Sequence, residues 1–408
     1  MDRRSFLQGS ATALAGTALP LLPMAAMAAD EIVVGSIIDM SGGLDIYGKP
    51  MADCMTLAVE EQNAAGGLLG KKIKLVTYDP QSNMQLYAQF AQQSALRDKS
   101  TVVMGGITSA SREVIRPVLT RNKTLYFYNT QYEGGVCDRN TFCTGVTPGQ
   151  TVAKLIPYAM KKWGKKVYVV AADYNYGQIT SQWVKKFVQD NGGSVASIDF
   201  FPLDVTNFGP TISKIEAAKP DMIVSALVGG AHISFYRQWA AAGLTKKIPL
   251  ASTTFAGGNE HIVLSPAETD GFLVSYNYFQ NLDTPQNKAF KERFYKRFGS
   301  DYPNITELAM GTYQGFKLWA EAVKKAGSID REKMITALES GISIDGPSGK
   351  VTVDAPTHHC VLNVSIAEVR NKQLNIVETF QQQPPVDTSA VCNLQKNPKD
   401  NQQYVIKA

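Results

Sequence analysis

Three hydroxyl side chains, Thr108, Ser109 and Ser111, fall within four positions, just after the apolar run Thr101–Met104 and where a helical pattern begins. Such a cluster could carry a nucleophile, cradle a phosphate, or seat a small neutral or anionic ligand. A nucleophile needs a base, yet the stretch contains no Gly-x-Ser-x-Gly elbow and no histidine lies near it in sequence. A phosphate loop of the Gly-x4-Gly-Lys-Ser/Thr kind is missing. The free amides and dipole at a helix start would favour a carboxylate, a carbonyl oxygen or an anion. A plain helix cap by Ser109 or Ser111 explains the same residues equally well.

Tyrosines supply a second signal. Tyr126-Phe-Tyr-Asn-Thr-Gln-Tyr-Glu-Gly134, Asp173-Tyr-Asn-Tyr-Gly177 and Ser275-Tyr-Asn-Tyr-Phe279 each follow a strand-like run. Aromatic walls that carry hydroxyls can enclose a small polar ligand and orient it with few contacts. One tyrosine alone is ordinarily packing or turn chemistry; the recurrence at three strand ends is what points to a cleft.

Metal and nucleic-acid chemistry find little support. The five cysteines, Cys54, Cys137, Cys143, Cys360 and Cys392, contain no Cys-x-x-Cys, and the histidines have no metal-ligand spacing. In an oxidising compartment the expected bridges are Cys137 with Cys143 and Cys360 with Cys392, with Cys54 a buried free thiol. The adjacent pair His358–His359 would point to opposite faces of a strand. Basic residues are scattered in pairs such as Lys161–Lys162, without a basic stripe interleaved with aromatics, so no nucleic-acid partner is expected. No cofactor and no metal are expected.

These residues need a frame, and the chain provides one by alternation. Strand-like runs at Glu31–Gly35, Lys72–Tyr78, Thr101–Met104 and Thr124–Tyr128 alternate with helical patterns at Lys49–Ala64, Asn83–Arg97 and Ser111–Thr120. A second series runs from helix Thr151–Trp163 through strand Lys166–Ala172 to strand Gly271–Tyr276. This beat predicts an α/β protein built of two doubly wound parallel-sheet units. At 408 residues, with 44% hydrophobic and 19% charged residues, the chain is large enough for two cores. The helical stretch Thr284–Ser340 followed by strands at Gly349–Val353 and Cys360–Val369 predicts that the chain crosses between the units more than once.

The N-terminus pairs Arg3 and Arg4 with an uncharged Ala/Leu segment and the small residues Ala26-Met27-Ala28. That order predicts a twin-arginine export signal, cleaved from an otherwise soluble protein. Loss of Asp2, Arg3 and Arg4 leaves 39 basic and 35 acidic residues. A mild net charge of this size lends little support to nucleic acid binding.

Several longer motifs resemble one family. Ile32-Val-Val-Gly-Ser36 through Asp39-Met-Ser-Gly42, Ala58-Val-Glu-Glu-Gln-Asn-Ala-Ala-Gly-Gly67, Thr77-Tyr-Asp79, the Thr108–Ser111 turn and Asp173–Gly177 are similar to the periplasmic binding proteins of branched-chain amino acid transporters. Ser109-Ala-Ser-Arg112, Tyr132-Glu-Gly134, Tyr278-Phe-Gln280 with Asp283-Thr-Pro285, and Asp345–Val351 followed by His358–His359 resemble its urea and short-chain amide branch. Gly43-Leu-Asp-Ile-Tyr-Gly48 instead resembles the amino acid binding members, in which the tyrosine closes over the ligand.

The resemblance implies a type I periplasmic binding protein of two lobes joined by a multi-crossover hinge. Residues 1–28 form the signal, 29–146 with 279–346 the first lobe, 147–278 with 347–380 the second, and 381–408 a polar C-terminal tail. It implies a non-enzymatic solute-binding protein that delivers urea, a short-chain amide or an amino acid to the membrane permease of an ABC transporter. An amide hydrolase with Ser109 as nucleophile is the rival from another class. Ser109 with Thr108, Tyr128, Thr130 and Tyr174 are the implied ligand contacts, Tyr47 a closing residue. The loops Val228-Gly229-Gly230 and Thr253-Thr254-Phe255 are implied to close from the second lobe.

Overall fold

A computed structural model describes residues 31–405, so the expected export signal lies outside the described residues. The first half builds β1 (Ile32–Ile37), α1 (Asp45–Ala64), β2 (Ile73–Tyr78), α2 (Met84–Leu96), β3 (Val102–Gly105), α3 (Ser109–Arg121), β4 (Leu125–Tyr128), β5 (Val136–Asp138) and β6 (Thr141–Cys143). Then come α4 (Val152–Trp163), β7 (Lys166–Ala172), α5 (Asn175–Asp190), β8 (Ser194–Phe201), α6 (Gly209–Ala218), β9 (Met222–Ala226), α7 (Gly230–Ala241), β10 (Leu250–Ser252), α8 (Glu260–Val263), α9 (Pro266–Thr269) and β11 (Leu273–Tyr276). The chain closes with α10 (Pro285–Phe298), α11 (Glu307–Ala326), α12 (Arg331–Glu339), β12 (Ser343–Gly346), β13 (Gly349–Asp354), β14 (His359–Arg370), β15 (Gln373–Gln383), α13 (Val386–Ser389) and β16 (Asn401–Gln403).

Two parallel arrays organise these elements. A five-stranded sheet runs β2-β1-β3-β4-β6, and every neighbouring pair in it is parallel. In the larger sheet β8-β7-β9-β10-β11 are parallel, and β14, β13, β12 and β15 extend it antiparallel. The inner strands β1, β3, β4, β7 and β9 read as apolar runs because helices cover both their faces, whereas the edge strands β2 and β8 keep exposed positions. The order reverses between β1 and β3 in one sheet and between β7 and β9 in the other. At such reversals the following helices diverge to opposite faces and leave a crevice beyond the carboxyl ends of the strands.

The long helix α11 returns to the five-stranded sheet, burying Phe316, Trp319 and Val323 in one core with Met55 and Ala58 of α1 and Phe127 of β4. The chain therefore leaves the smaller sheet after β6 and comes back to it after β11. Among the described residues no helix is long and apolar enough to cross a membrane.

The disulfide expectation is corrected. Cys137 bonds Cys392 across 255 residues, with Cα atoms 5.5 Å apart, and Cys143 and Cys360 are buried free thiols, as is Cys54. The reason is sheet membership. Cys143 ends β6, inside the parallel sheet beside Tyr128, whereas Cys137 lies in β5, which leaves that sheet to pair antiparallel with β16. The polar tail beyond Gln381 thus lies against the first half of the chain, where Arg116 Nη1 also donates to the Asn401 carbonyl at 2.6 Å.

Candidate ligand-binding site

Both crevices open onto one small cavity. Its lining is Tyr47 on α1, Ile107 after β3, Thr130 and Gln131 after β4, and Leu308 on α11, facing Tyr174, Tyr176, Val228, Thr254 and Gly257 beyond β7, β9 and β10. It leaves about 40 Å³ in which the centre of a water-sized sphere fits. Several hydrogen bonds bridge the cleft. Gly229 N–H donates to the Tyr47 hydroxyl at 3.0 Å, Gln131 Nε2 to the Thr253 carbonyl at 3.0 Å, and Trp183 Nε1 to the Glu133 carbonyl at 3.3 Å.

Local sequence explains the smaller-sheet wall. Gly105 has φ +135°, and a Cβ there would sit 2.1 Å from the Ile37 carbonyl oxygen, so only glycine lets β3 end this close to β1. The Gly105–Ile107 turn that follows is held by hydroxyls: Tyr126 donates to the Gly105 carbonyl at 2.9 Å, Thr130 to Gly106 at 3.1 Å, and Tyr128 to Ile107 at 2.8 Å. Thr108 caps α3, its hydroxyl accepting from Ser111 N–H at 3.1 Å.

The expected ligand contacts therefore divide. Tyr47, Thr130 and Tyr174 line the cavity. Tyr128 is fully buried against the turn it supports, Thr108 is the cap, and Gly229 touches the cavity's rim through Tyr47. Phe255 sits in an aromatic cluster with Tyr236 and Phe272, and its carbonyl accepts from Tyr276 at 2.8 Å. Ser109 is 1% exposed and its hydroxyl donates to Glu133. Residues with weaker sequence signals complete the wall. Gln131, Tyr176 and Thr254 lie inside the tyrosine and loop motifs, whereas Ile107, Gly257 and Leu308 carry no chemical signature and are found only by their position.

The electrostatics set the cavity apart from its surroundings. None of the ten lining residues carries a formal charge. The charges are held one layer back and paired. Arg112 donates to Glu133 at 3.0 Å and to Glu113 at 2.9 Å while lying over the rings of Tyr128 and Tyr132. Glu260 Oε1 lies 2.8 Å from His232 Nε2. Burial pushes the phenols of Tyr47, Tyr174 and Tyr176 above their ordinary value, so each stays a neutral hydroxyl. Glu307 differs from the other buried acids near the cavity. It is 3% exposed, neither carboxyl oxygen has a partner, and burial alone pushes it up to about 8.

Chemically this is a neutral, hydroxyl-rich enclosure. Ser109 is bound to a carboxylate that Arg112 neutralises and, among the described residues, has no histidine partner, so it is not set up as a nucleophile. No group of three or more His, Cys, Asp or Glu among the described residues could hold a metal ion.

The model of the family described as periplasmic binding protein matches residues 31–373. The chain is similar to Leu/Ile/Val-binding protein homolog 6 of Brucella melitensis, 23% identical over 387 residues, 91% of this chain and 97% of the relative. It is also similar to the structure of an ABC transporter solute-binding protein from R. palustris in complex with 4-hydroxybenzoate, with TM-score 0.77, 26% identity, and 87% of this chain and 98% of that one covered. A leucine-binding protein structure from Thermotoga maritima has TM-score 0.77 at 21% identity, covering 86% and 99%, and speaks for the fold. These relatives and neighbours are solute-binding proteins rather than enzymes. With two doubly wound sheets, a cavity at both topological reversals and a family match across most of its length, the chain belongs to the periplasmic binding protein family.

Proposed function

We propose that this protein is the extracytoplasmic solute-binding protein of an ABC importer, and that its solute is a small uncharged carbonyl compound such as urea or a short-chain amide. The observation that carries the reading is the uncharged lining of the cavity. Removing an ion from water without a counter-charge is prohibitively costly, whereas a neutral amide needs only donors and acceptors. Tyr174 offers a hydroxyl with no hydrogen-bond partner among the described residues, and Thr130, Gln131 and Thr254 add polar edges. The small free space fits a molecule of a few heavy atoms better than a benzoate.

Export through the N-terminal signal, the division into lobes at 29–146 with 279–346 and 147–278 with 347–380, and delivery to a membrane permease belong to this proposal. Cross-cleft hydrogen bonds such as Gly229 to Tyr47, Gln131 to Thr253 and Trp183 to Glu133 support closure of one lobe on the other around the solute.

A branched-chain amino acid is the second reading, favoured by the apolar side of the cavity, Ile107, Val228 and Leu308, and by the Leu/Ile/Val-binding relatives. Titration calorimetry of the purified protein with urea, formamide, acetamide, leucine and 4-hydroxybenzoate decides. Heat and saturation with the neutral compounds alone are expected. Saturable binding of leucine or 4-hydroxybenzoate, with no heat from urea or the amides, overturns the assignment of the solute.

A further inference from the structure

The Tyr47 ring lines the cavity, but its oxygen is occupied from behind. It accepts the Gly229 N–H at 3.0 Å and lies 3.4 Å from Nε2 of His232, whose Nε2 is also 2.8 Å from Glu260 Oε1. Tyr47 is 4% exposed, and His232 and Glu260 are fully buried. Glu260 is anchored in turn by the Gly258 N–H at 3.0 Å. Burial would raise the Glu260 carboxyl, but His232 beside it and its hydrogen bonds hold it below its ordinary value, so it is a carboxylate and can only accept.

That fixes the imidazole. The proton between His232 and Glu260 must sit on Nε2, an assignment that follows from the acceptor and not from an observed hydrogen. Among the described residues the Nδ1 atom has no partner, so Nε2 is the ring nitrogen that this cluster engages. The Nε2–H is then donated to the Tyr47 oxygen at 3.4 Å, with the Glu260 carboxylate beside it at 2.8 Å. Both lone pairs of Tyr47 face donors from the larger-sheet side, and the remaining function of its hydroxyl is its own proton. No described residue accepts that proton, and a buried donor left unpaired costs free energy that a bound acceptor recovers.

We propose that His232, oriented by Glu260, is a positioning residue that makes the Tyr47 hydroxyl an obligatory hydrogen-bond donor to the oxygen of the bound solute. It rests on the reading of the solute as a carbonyl compound and adds the group that selects for that oxygen. Tyr47 stands on α1 and its two donors stand at and within α7, so the donor is fully oriented only when the cleft is closed. Selection for an acceptor oxygen and closure are then one event.

The test is a double-mutant cycle read by calorimetry with urea and acetamide on the purified full chain. Tyr47→Phe keeps the ring and is expected to weaken binding about ten-fold, and His232→Leu by a similar factor. The two together should cost no more than either alone, because one donates only as the other directs. His232→Gln, whose amide can still donate to both oxygens, is expected to restore most of the affinity. Losses that multiply in the double variant, or wild-type affinity in Tyr47→Phe, overturn the proposal. A His232→Leu chain that does not fold leaves Tyr47→Phe and His232→Gln to carry the same decision. Nitrogen NMR of ¹⁵N-histidine-labelled protein supplies a readout independent of the solute. A protonated Nε2 whose shift moves in Tyr47→Phe supports the arrangement, and a protonated Nδ1 overturns it. If neither urea nor acetamide binds while the NMR result holds, the solute assignment fails and the orientation of Tyr47 stands.

Discussion

Replacing Glu307 by Gln should make the protein more stable at high pH and should change the shape of its stability against pH. Glu307 opens α11 just after the cap Thr306, whose hydroxyl accepts from Ala309 N–H, so the cap leaves the carboxyl without a role in it. With neither oxygen partnered, burial pushes the group up to about 8, against about 4.3 for an exposed Glu. Below about pH 4 the folded and unfolded chains are both protonated there and the wild type has its full stability. As pH rises the unfolded chain ionises first, so wild-type stability falls by about 1.4 kcal/mol per pH unit until the folded pKa is passed. The total is about 5 kcal/mol as an upper figure, since the helix dipole and entering water work against it. Glutamine carries no charge at any pH and removes this slope, while its buried amide adds an offset of about 1 to 3 kcal/mol that does not vary with pH. Guanidinium chloride melts of both proteins from about pH 4.5 to about pH 9 read the difference, guanidinium being preferred because urea is a candidate ligand. The variant should gain on the wild type from about pH 4.5 to about pH 8 and gain no more above it. A difference that stays flat with pH refutes the argument, whatever the absolute stabilities.

Four further outcomes follow from the geometry. Tyr174→Phe should weaken binding of urea or acetamide by about 1 kcal/mol with an unchanged melting temperature, because that hydroxyl has no partner among the described residues; calorimetry paired with thermal melts checks both halves. Ser109→Ala should lower stability by about 1 to 3 kcal/mol, since it strips a donor from the buried Glu133 carboxylate, and scanning calorimetry reads it. Peptide mapping without reduction should find Cys137 linked to Cys392 and free thiols at Cys54, Cys143 and Cys360. Opening that bridge by Cys392→Ser should cost up to about 5 kcal/mol on the chain-entropy account of so long a loop, measured as a fall in the denaturation midpoint.

Much of the frame was legible locally. Parallel strands buried on both faces must be apolar along their length, so β1, β3, β4, β7 and β9 stand out as short runs between helical patterns. The loops that reach the cavity begin where those runs stop, and the tyrosines clustered there include Tyr174 and Tyr176 of the lining. A helix cap was legible at this turn, but the sequence pointed to Ser109 or Ser111 and the cap is Thr108, one residue earlier. The role of Ser109 was not legible, because its partner Glu133 lies 24 residues on and is turned toward it only by the closeness of β3 and β4.

Alternation of strand and helix, the hydroxyl turn after β3 and the aromatic loop ends follow from the sequence, since each depends on residues within a few positions of one another. Tertiary structure alone decided which cysteines meet, because β5 leaves its sheet to pair with a strand at the far end of the chain. It alone joined Tyr47 to His232 across 185 residues and set Leu308 in the wall. Contacts of that range depend on how two sheets are placed around a cleft, and no local pattern of side chains encodes that distance.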